Sequence, residues 1–296
     1  MSKYLDPKYD LTFRKVFGEH KNLVKSLLNA LLPLPNEKSI EDLEYLDASQ
    51  IPDNPAKKYS IVDVKCKDNS GRYFIVEMQM YWNSAFFMRT LYNTTKVYSS
   101  QLQKADSFNE LKNVYALSIV NDNAFPKFKN EYIQEYYIIN KKHPTDDIRE
   151  DIALVFVELP KYKPVEKSEK LLKDLWMQFL TEINESTTEI DEDLLNNSDT
   201  AEALGIMERS AYSEADLAAY EKQKLDEITE RSVRNNLLEK GREKGKEEGR
   251  EEGREEERAK AYQEKLSMAR QMKSDGMPID VIVKYSGLSK DEIEKL

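Results

Sequence analysis

"YSIVDVKCKDNSGRYFIVEMQM", residues 59–80, decides how the chain is read. Two runs rich in β-branched and aromatic residues flank Asp68-Asn69-Ser70-Gly71, the composition of a β-hairpin. A three-residue loop, Asn69-Ser70-Gly71 with Gly71 left-handed, pairs Asp68 with Arg72. From there Cys66 falls opposite Phe74, Val64 opposite Val76, Asp63 opposite Glu77 and Ile61 opposite Gln79. One face of the hairpin then holds only Val62, Val64, Cys66, Phe74, Val76, Met78 and Met80, and is expected to be the core face. A slip of one residue would mix the two sets. The other face holds Ile61, Asp63, Lys65, Lys67, Tyr73, Ile75, Glu77 and Gln79.

Directly opposed side chains on a sheet have Cβ atoms only about 4.5–5.5 Å apart. Two carboxylates at that separation repel, and burial would make one of them resist ionising. Two readings remain open on the hairpin alone. Either the face is solvated and the charges are screened, with Lys65 and Lys67 softening them, or hard oxygen ligands converge on a divalent cation such as Mg²⁺ or Mn²⁺.

Outward from the hairpin, the spacing predicts a mixed α/β domain. Asp10 is placed to cap a short helix, LTFRKVF, that Gly18 ends in a left-handed conformation. A helix from about Asn22 carries Leu23, Val24, Leu27, Leu28, Leu31 and Leu32 and stops at Pro33. Residues 39–46 suit a first strand, and the polar stretch ASQIPDNPAKK a loop. Residues 84–105 read as a helix with Phe87, Leu91, Tyr98 and Leu102 on one face. VYALSIV, 114–120, has the continuous apolar run of a strand covered on both faces. EYIQEYYIIN and IALVFVEL read as further strands, and 168–182 as an amphipathic helix. Helix, strands, helix and strand in this order imply one sheet flanked by helices.

Beyond residue 182 the character turns acidic and helical. Four domains are expected: a core at 1–182, a helical connecting region at 183–238, a charged repeat at 239–262 and a small helical module at 263–296. The repeat, GREK-GKEE-GREE-GREE, is nearly charge-balanced, with nine acids and eight bases between Glu239 and Lys260. Its composition suits a solvated helix or linker laced with i,i+4 ion pairs. Its glycines lie on one side, as close helix approach would require, or as drift of a repetitive sequence would leave them. In the last module Gly276-Met277-Pro278 breaks one helix, Ser286-Gly287 makes a turn, and Ser289-Lys290-Asp291-Glu292 is a capping box. With no basic recognition face, it suits assembly or docking better than DNA reading.

Composition excludes several function classes. The single cysteine, Cys66, rules out an internal disulfide, and His20 and His143 lack metal-ligand spacing. No apolar run of about 18 residues exists, and the first residues lack an apolar leader, so a cytoplasmic protein with no membrane partner is expected. The net charge of −10 argues against broad polyanion binding, so nucleic acid would need a local basic patch or metal ions.

The order and spacing of "YDLTFRKVFG", "IVDVKC", "RYFIVEMQM", "FFMRTLY" and "FVELPKY", with the ending "YSGLSKDEIEKL", resemble the PD-(D/E)XK nuclease superfamily, in its transposase-like branch of recombination-promoting nucleases. The resemblance implies a restriction-endonuclease-like core and a Mg²⁺-dependent DNA endonuclease, with Mn²⁺ a substitute, that hydrolyses phosphodiester bonds. It assigns Asp63 and Glu77 as catalytic metal-binding acids, the Met78 carbonyl as a further ligand, and Asp10 as a candidate additional acid. Gln79 stands where the superfamily usually has lysine and would orient water, while Val62 replaces the usual proline. Arg89 is a candidate phosphate clamp, since guanidinium suits bidentate phosphate contact. DNA is the expected partner, with a homodimer formed through the C-terminal region. An inactive binding scaffold and an RNA-directed nuclease are the alternatives.

Overall fold

A computed structural model describes residues 3–34, 38–50, 60–164 and 171–296 of the chain. Most of the loop ASQIPDNPAKK and the start of the 168–182 segment lie outside the described residues. The chain divides into two compact units, residues 1–225 and 226–296.

The first unit opens with α1 (Asp10–Phe13), which runs into a π-helical turn, Arg14–Gly18, and then α2 (Lys21–Leu31). Two local expectations change here. Tyr9 occupies the N-cap position, and Asp10 is already helical, its carboxylate turned to Arg14 rather than to a backbone N–H. Gly18 ends the π turn without positive φ, because the chain leaves through Glu19 in a right-handed conformation.

Next come β1 (Leu43–Tyr45), the short pair β2 (Ser49–Gln50) and β3 (Ser60–Ile61), then the hairpin strands β4 (Val64–Asp68) and β5 (Tyr73–Gln79). Helix α3 (Ser84–Ser99) crosses to β6 (Val114–Val120), and β7 (Ile133–Asn140) turns back into the long β8 (His143–Glu158). The six-stranded sheet has the order β1-β4-β5-β6-β8-β7. Its β5–β6 and β6–β8 pairs are parallel, while the β1–β4, β4–β5 and β7–β8 pairs are antiparallel. This mixed sheet with helices on both faces is a restriction-endonuclease-like α/β fold. All seven residues of β6 are buried, as the apolar run requires of a central parallel strand.

The hairpin register agrees with the loop chemistry: Cys66 faces Phe74, Val64 faces Val76, and Gly71 sits at φ +86°. On one face of the sheet Val64, Cys66, Phe74 and Val76 join Leu23, Leu27, Leu28 and Trp176 in the main core. That core also takes Leu175, Phe179 and Leu180 from α4 (Leu172–Glu182). It continues past residue 182 through Leu194 of α5 (Glu192–Asn196) and Ala203, Leu204 and Met207 of α6 (Ser198–Met207).

The opposite face is covered at Ile75 and Glu77, while Asp63, Lys65, Lys67, Tyr73 and Gln79 stay partly exposed. Helix α3 packs on this face, enclosing Ile75, Phe86, Val97, Ala116 and Phe156 in a second core. Val62 belongs to this second core rather than to the first, because the ladder ends at Val64 and the chain bends at Asp63.

In the second unit, residues 226–274 belong to the 61-residue helix α7 (Glu214–Ser274), followed by α8 (Ile279–Ser286) and α9 (Lys290–Glu294). A Cβ added at Gly241, Gly245, Gly249 or Gly253 would meet nothing within 4 Å, so no close helix approach within the described residues accounts for that stripe. Ala269, Ile282, Leu288 and Ile293 form a small core of their own, and both bonds of the capping box at Ser289 and Glu292 are made. Among the described residues, no helix is long and apolar enough to cross a membrane.

Candidate active site

The site lies where the hairpin ladder stops. In a continued antiparallel ladder the Met78 N–H would donate to the Val62 carbonyl. Instead it donates to Asp63 Oδ2 at 2.8 Å. The carboxylate therefore replaces a backbone acceptor where the chain bends at Asp63. The Gln79 carbonyl accepts from Asn121 N on the β6 side. Alternation along a strand then turns both the N–H and the C=O of Met78 to the β4 side, toward Asp63.

Glu77 is buried beneath α3. Its Oε1 accepts from Asn93 Nδ2 at 3.1 Å, and its Oε2 lies 3.5 Å from Arg89 Nη2. Arg89 and Asn93 are four residues apart on α3, so one helix face delivers both to the sheet. The Arg89 guanidinium lies 4.8 Å from the centroid of the Phe86 ring, one turn back, and donates to Gln79 Oε1 at 2.8 Å. Gln79 Nε2 donates to the Tyr81 carbonyl at 3.0 Å. Both polar atoms of the Gln79 amide are thus engaged, and in this arrangement it holds Arg89 rather than facing a water.

Asp10 approaches from the opening helix. Arg14 joins it to Asp63, with Nε 2.9 Å from Asp10 Oδ1 and Nη2 3.3 Å from Asp63 Oδ1. The structure therefore draws Asp10, Asp63, Glu77, Met78, Gln79 and Arg89 into one neighbourhood. It adds two residues that sequence reasoning missed, Arg14 and Asn93. The i,i+4 spacing of Arg89 and Asn93 was visible in the sequence. Nothing local marked Arg14, which lies 49 positions from Asp63.

The electrostatics follow from burial. Asp63 is pushed up to about 6, chiefly by burial and further by the charges of Asp10 and Glu77, against the pull of the Met78 N–H and Arg14. Glu77 is also raised by burial, with Arg89 and Asn93 opposing. Cys66 is buried and its thiol is pushed up to about 12 by burial, so it supplies no thiolate.

Among the described residues, no three His, Cys, Asp or Glu side chains are gathered closely enough to hold a metal ion by themselves. The donor chemistry nonetheless fits a hard cation. Two carboxylates and a backbone carbonyl are all oxygen donors, and the charges of Asp10 and Glu77 oppose the ionisation of Asp63, a conflict that a cation would relieve. Asn93 Oδ1, behind Glu77, is buried with no hydrogen-bond partner, a further sign of an unfinished polar site.

No curated protein and no solved structure matches the chain. A family model described as PD-(D/E)XK nuclease family transposase matches residues 7–234, a span that holds the whole sheet and every residue of the site. The hairpin with its two acids thus stands inside the matched span, and the chain belongs to the PD-(D/E)XK nuclease family transposases.

Proposed function

We propose that the chain is a Mg²⁺-dependent endonuclease that hydrolyses phosphodiester bonds of DNA, with Mn²⁺ able to substitute. The observation that carries this reading is the approach of Glu77 to Asp63 where the ladder breaks: burial raises both carboxyls, and the charge of Glu77 further opposes the ionisation of Asp63. A protein selected only for stability has no use for such a pair. Asp63, Glu77 and the Met78 carbonyl are the residues that would hold the cation, with Asp10 adjoining through Arg14. A divalent cation supplies an activated water and a Lewis acid for the phosphoryl oxygens.

The chain's own residues do the rest. Asn93 and the Met78 N–H orient the two acids. Arg89, half-exposed and held by Gln79 and Phe86, presents a guanidinium to a phosphate and opposes the negative charge that builds on its oxygens. This supports a division of labour in which Gln79 positions Arg89, and Arg89 supplies the positive charge that the superfamily usually takes from lysine. Cys66, the one cysteine, stays a neutral thiol, which favours direct attack by water over a cysteinyl intermediate.

A supercoiled-plasmid assay with Mg²⁺, Mn²⁺ or EDTA tests the reading. Wild type should nick or linearise the plasmid only with a cation, and Asp63→Ala and Glu77→Ala should each lose that activity by about 10²-fold or more. Absence of cleavage by folded wild type on duplex and single-stranded DNA would sink it. Cleavage of RNA alone would instead redirect the substrate class.

A further inference from the structure

Asp63 has two oxygens, and they are used differently. Oδ2 is committed to the Met78 N–H, while Oδ1 lies under the Arg14 guanidinium. Arg14 thus sits on the Asp63 oxygen that a cation would need. Its Nε simultaneously holds Asp10, so one side chain neutralises two of the acids. Arg14 is the first residue of the π-helical turn, a local irregularity that recurs at functional sites. Its side chain is 45% exposed, so the guanidinium has room to move toward solvent without becoming a buried unpaired charge. Arg89 differs: stacking on Phe86 and the bond to Gln79 hold it in place.

We propose that Arg14 couples cation loading to nucleic-acid binding. Arg14 would have to leave Asp63 Oδ1 for that carboxylate to hold a cation, and a substrate phosphate would accept the freed guanidinium. Without a phosphate, the cation must evict one positive group and then sit beside it. With a phosphate, the evicted group gains a charge-assisted partner of better geometry. Cation and phosphodiester therefore strengthen each other's binding, by reciprocal linkage. This inference rests on the reading of Asp63 and Glu77 as cation-holding acids.

The test is a titration of the full chain with Mn²⁺, followed by the electron paramagnetic resonance of the free ion. It is run with and without a phosphorothioate DNA duplex, which keeps the backbone charge. In wild type, the duplex should tighten Mn²⁺ binding by about tenfold or more, within the usual range of coupling between sites. In Arg14→Gln, Mn²⁺ should bind tighter than in wild type when the duplex is absent, and the tightening by duplex should fall at least about fivefold. A merely structural loss at Arg14 would weaken Mn²⁺ binding, so the sign separates the two roles. Arg14→Lys, which keeps a charge, should retain part of the coupling, and an uncharged methylphosphonate duplex should give wild type none.

Mn²⁺ binding that Asp63→Asn abolishes, but whose coupling Arg14→Gln leaves intact, would overturn this inference alone. Wild type that binds no Mn²⁺ with or without duplex would overturn the cation reading together with it.

Discussion

At the scale of single residues, the site is a set of charges each assigned a partner. Glu77 has Arg89 and Asn93, Asp63 has Arg14 and the Met78 N–H, and Gln79 ties Arg89 to its strand. If Arg89 supplies the charge otherwise carried by lysine, the charge can be relocated. Arg89→Gln should lower the rate of plasmid cleavage by about 10²-fold, the usual cost of one lost donor to a developing oxyanion. Adding Gln79→Lys to that variant should recover at least about tenfold of the loss, because an ammonium on β5 reaches the same side of Glu77. Failure of the double variant to exceed Arg89→Gln, with both proteins folded, would assign Arg89 to another task.

At the scale of elements, the hairpin places both acids, and its turn places the hairpin. Gly71 lies at φ +86°, and a Cβ there would meet Lys112 Cγ at 3.3 Å. Asp68 stabilises the same turn, accepting from the Ser70 and Arg72 N–H groups and from the Arg72 guanidinium. Gly71→Ala should cost about 1–2 kcal/mol, the penalty of a left-handed conformation for a residue with a Cβ. Gly71→Asn should cost less, since Asn tolerates that region better. Urea denaturation of the two variants beside wild type reads this directly, and equal stability of all three would show that the turn relaxes. Helix α3 matters equally, because it covers Ile75 and Glu77 on the second face of the hairpin and so makes Glu77 a buried acid.

At the scale of the whole molecule, two acids that resist ionisation make folding depend on pH. The Asp63 carboxyl has a pKa near 3.8 when unfolded and about 6 when folded. Between those values the native protein binds more protons than the unfolded chain, so stability falls as pH rises. A difference of about two units corresponds to roughly 3 kcal/mol at most. In EDTA, wild type should therefore be more resistant to urea at pH 4.5 than at pH 7 as far as this group is concerned. Asp63→Asn should flatten that portion of the profile and gain stability at pH 7. Added Mg²⁺ should restore wild-type stability at pH 7, by binding the folded state alone. An Asp63→Asn profile parallel to wild type would show that the carboxyl ionises freely in the folded protein.

The sequence alone settled what short-range physics controls. Gly71 and the loop around it set the register, the period-2 alternation chose the faces of β5, and the apolar run at 114–120 marked a strand covered on both sides. The family, too, was legible in the order and spacing of its motifs. What the tertiary structure decided is which neighbours each side chain meets. Val62 changes core because the ladder breaks at Asp63, and Glu77 is buried because the β5–α3–β6 crossover lays a helix over it. Asn93 reaches Glu77 across 16 positions and Arg14 reaches Asp63 across 49. Such contacts form only when the chain closes on itself. Local spacing says which face a residue occupies, but not what will be packed against it.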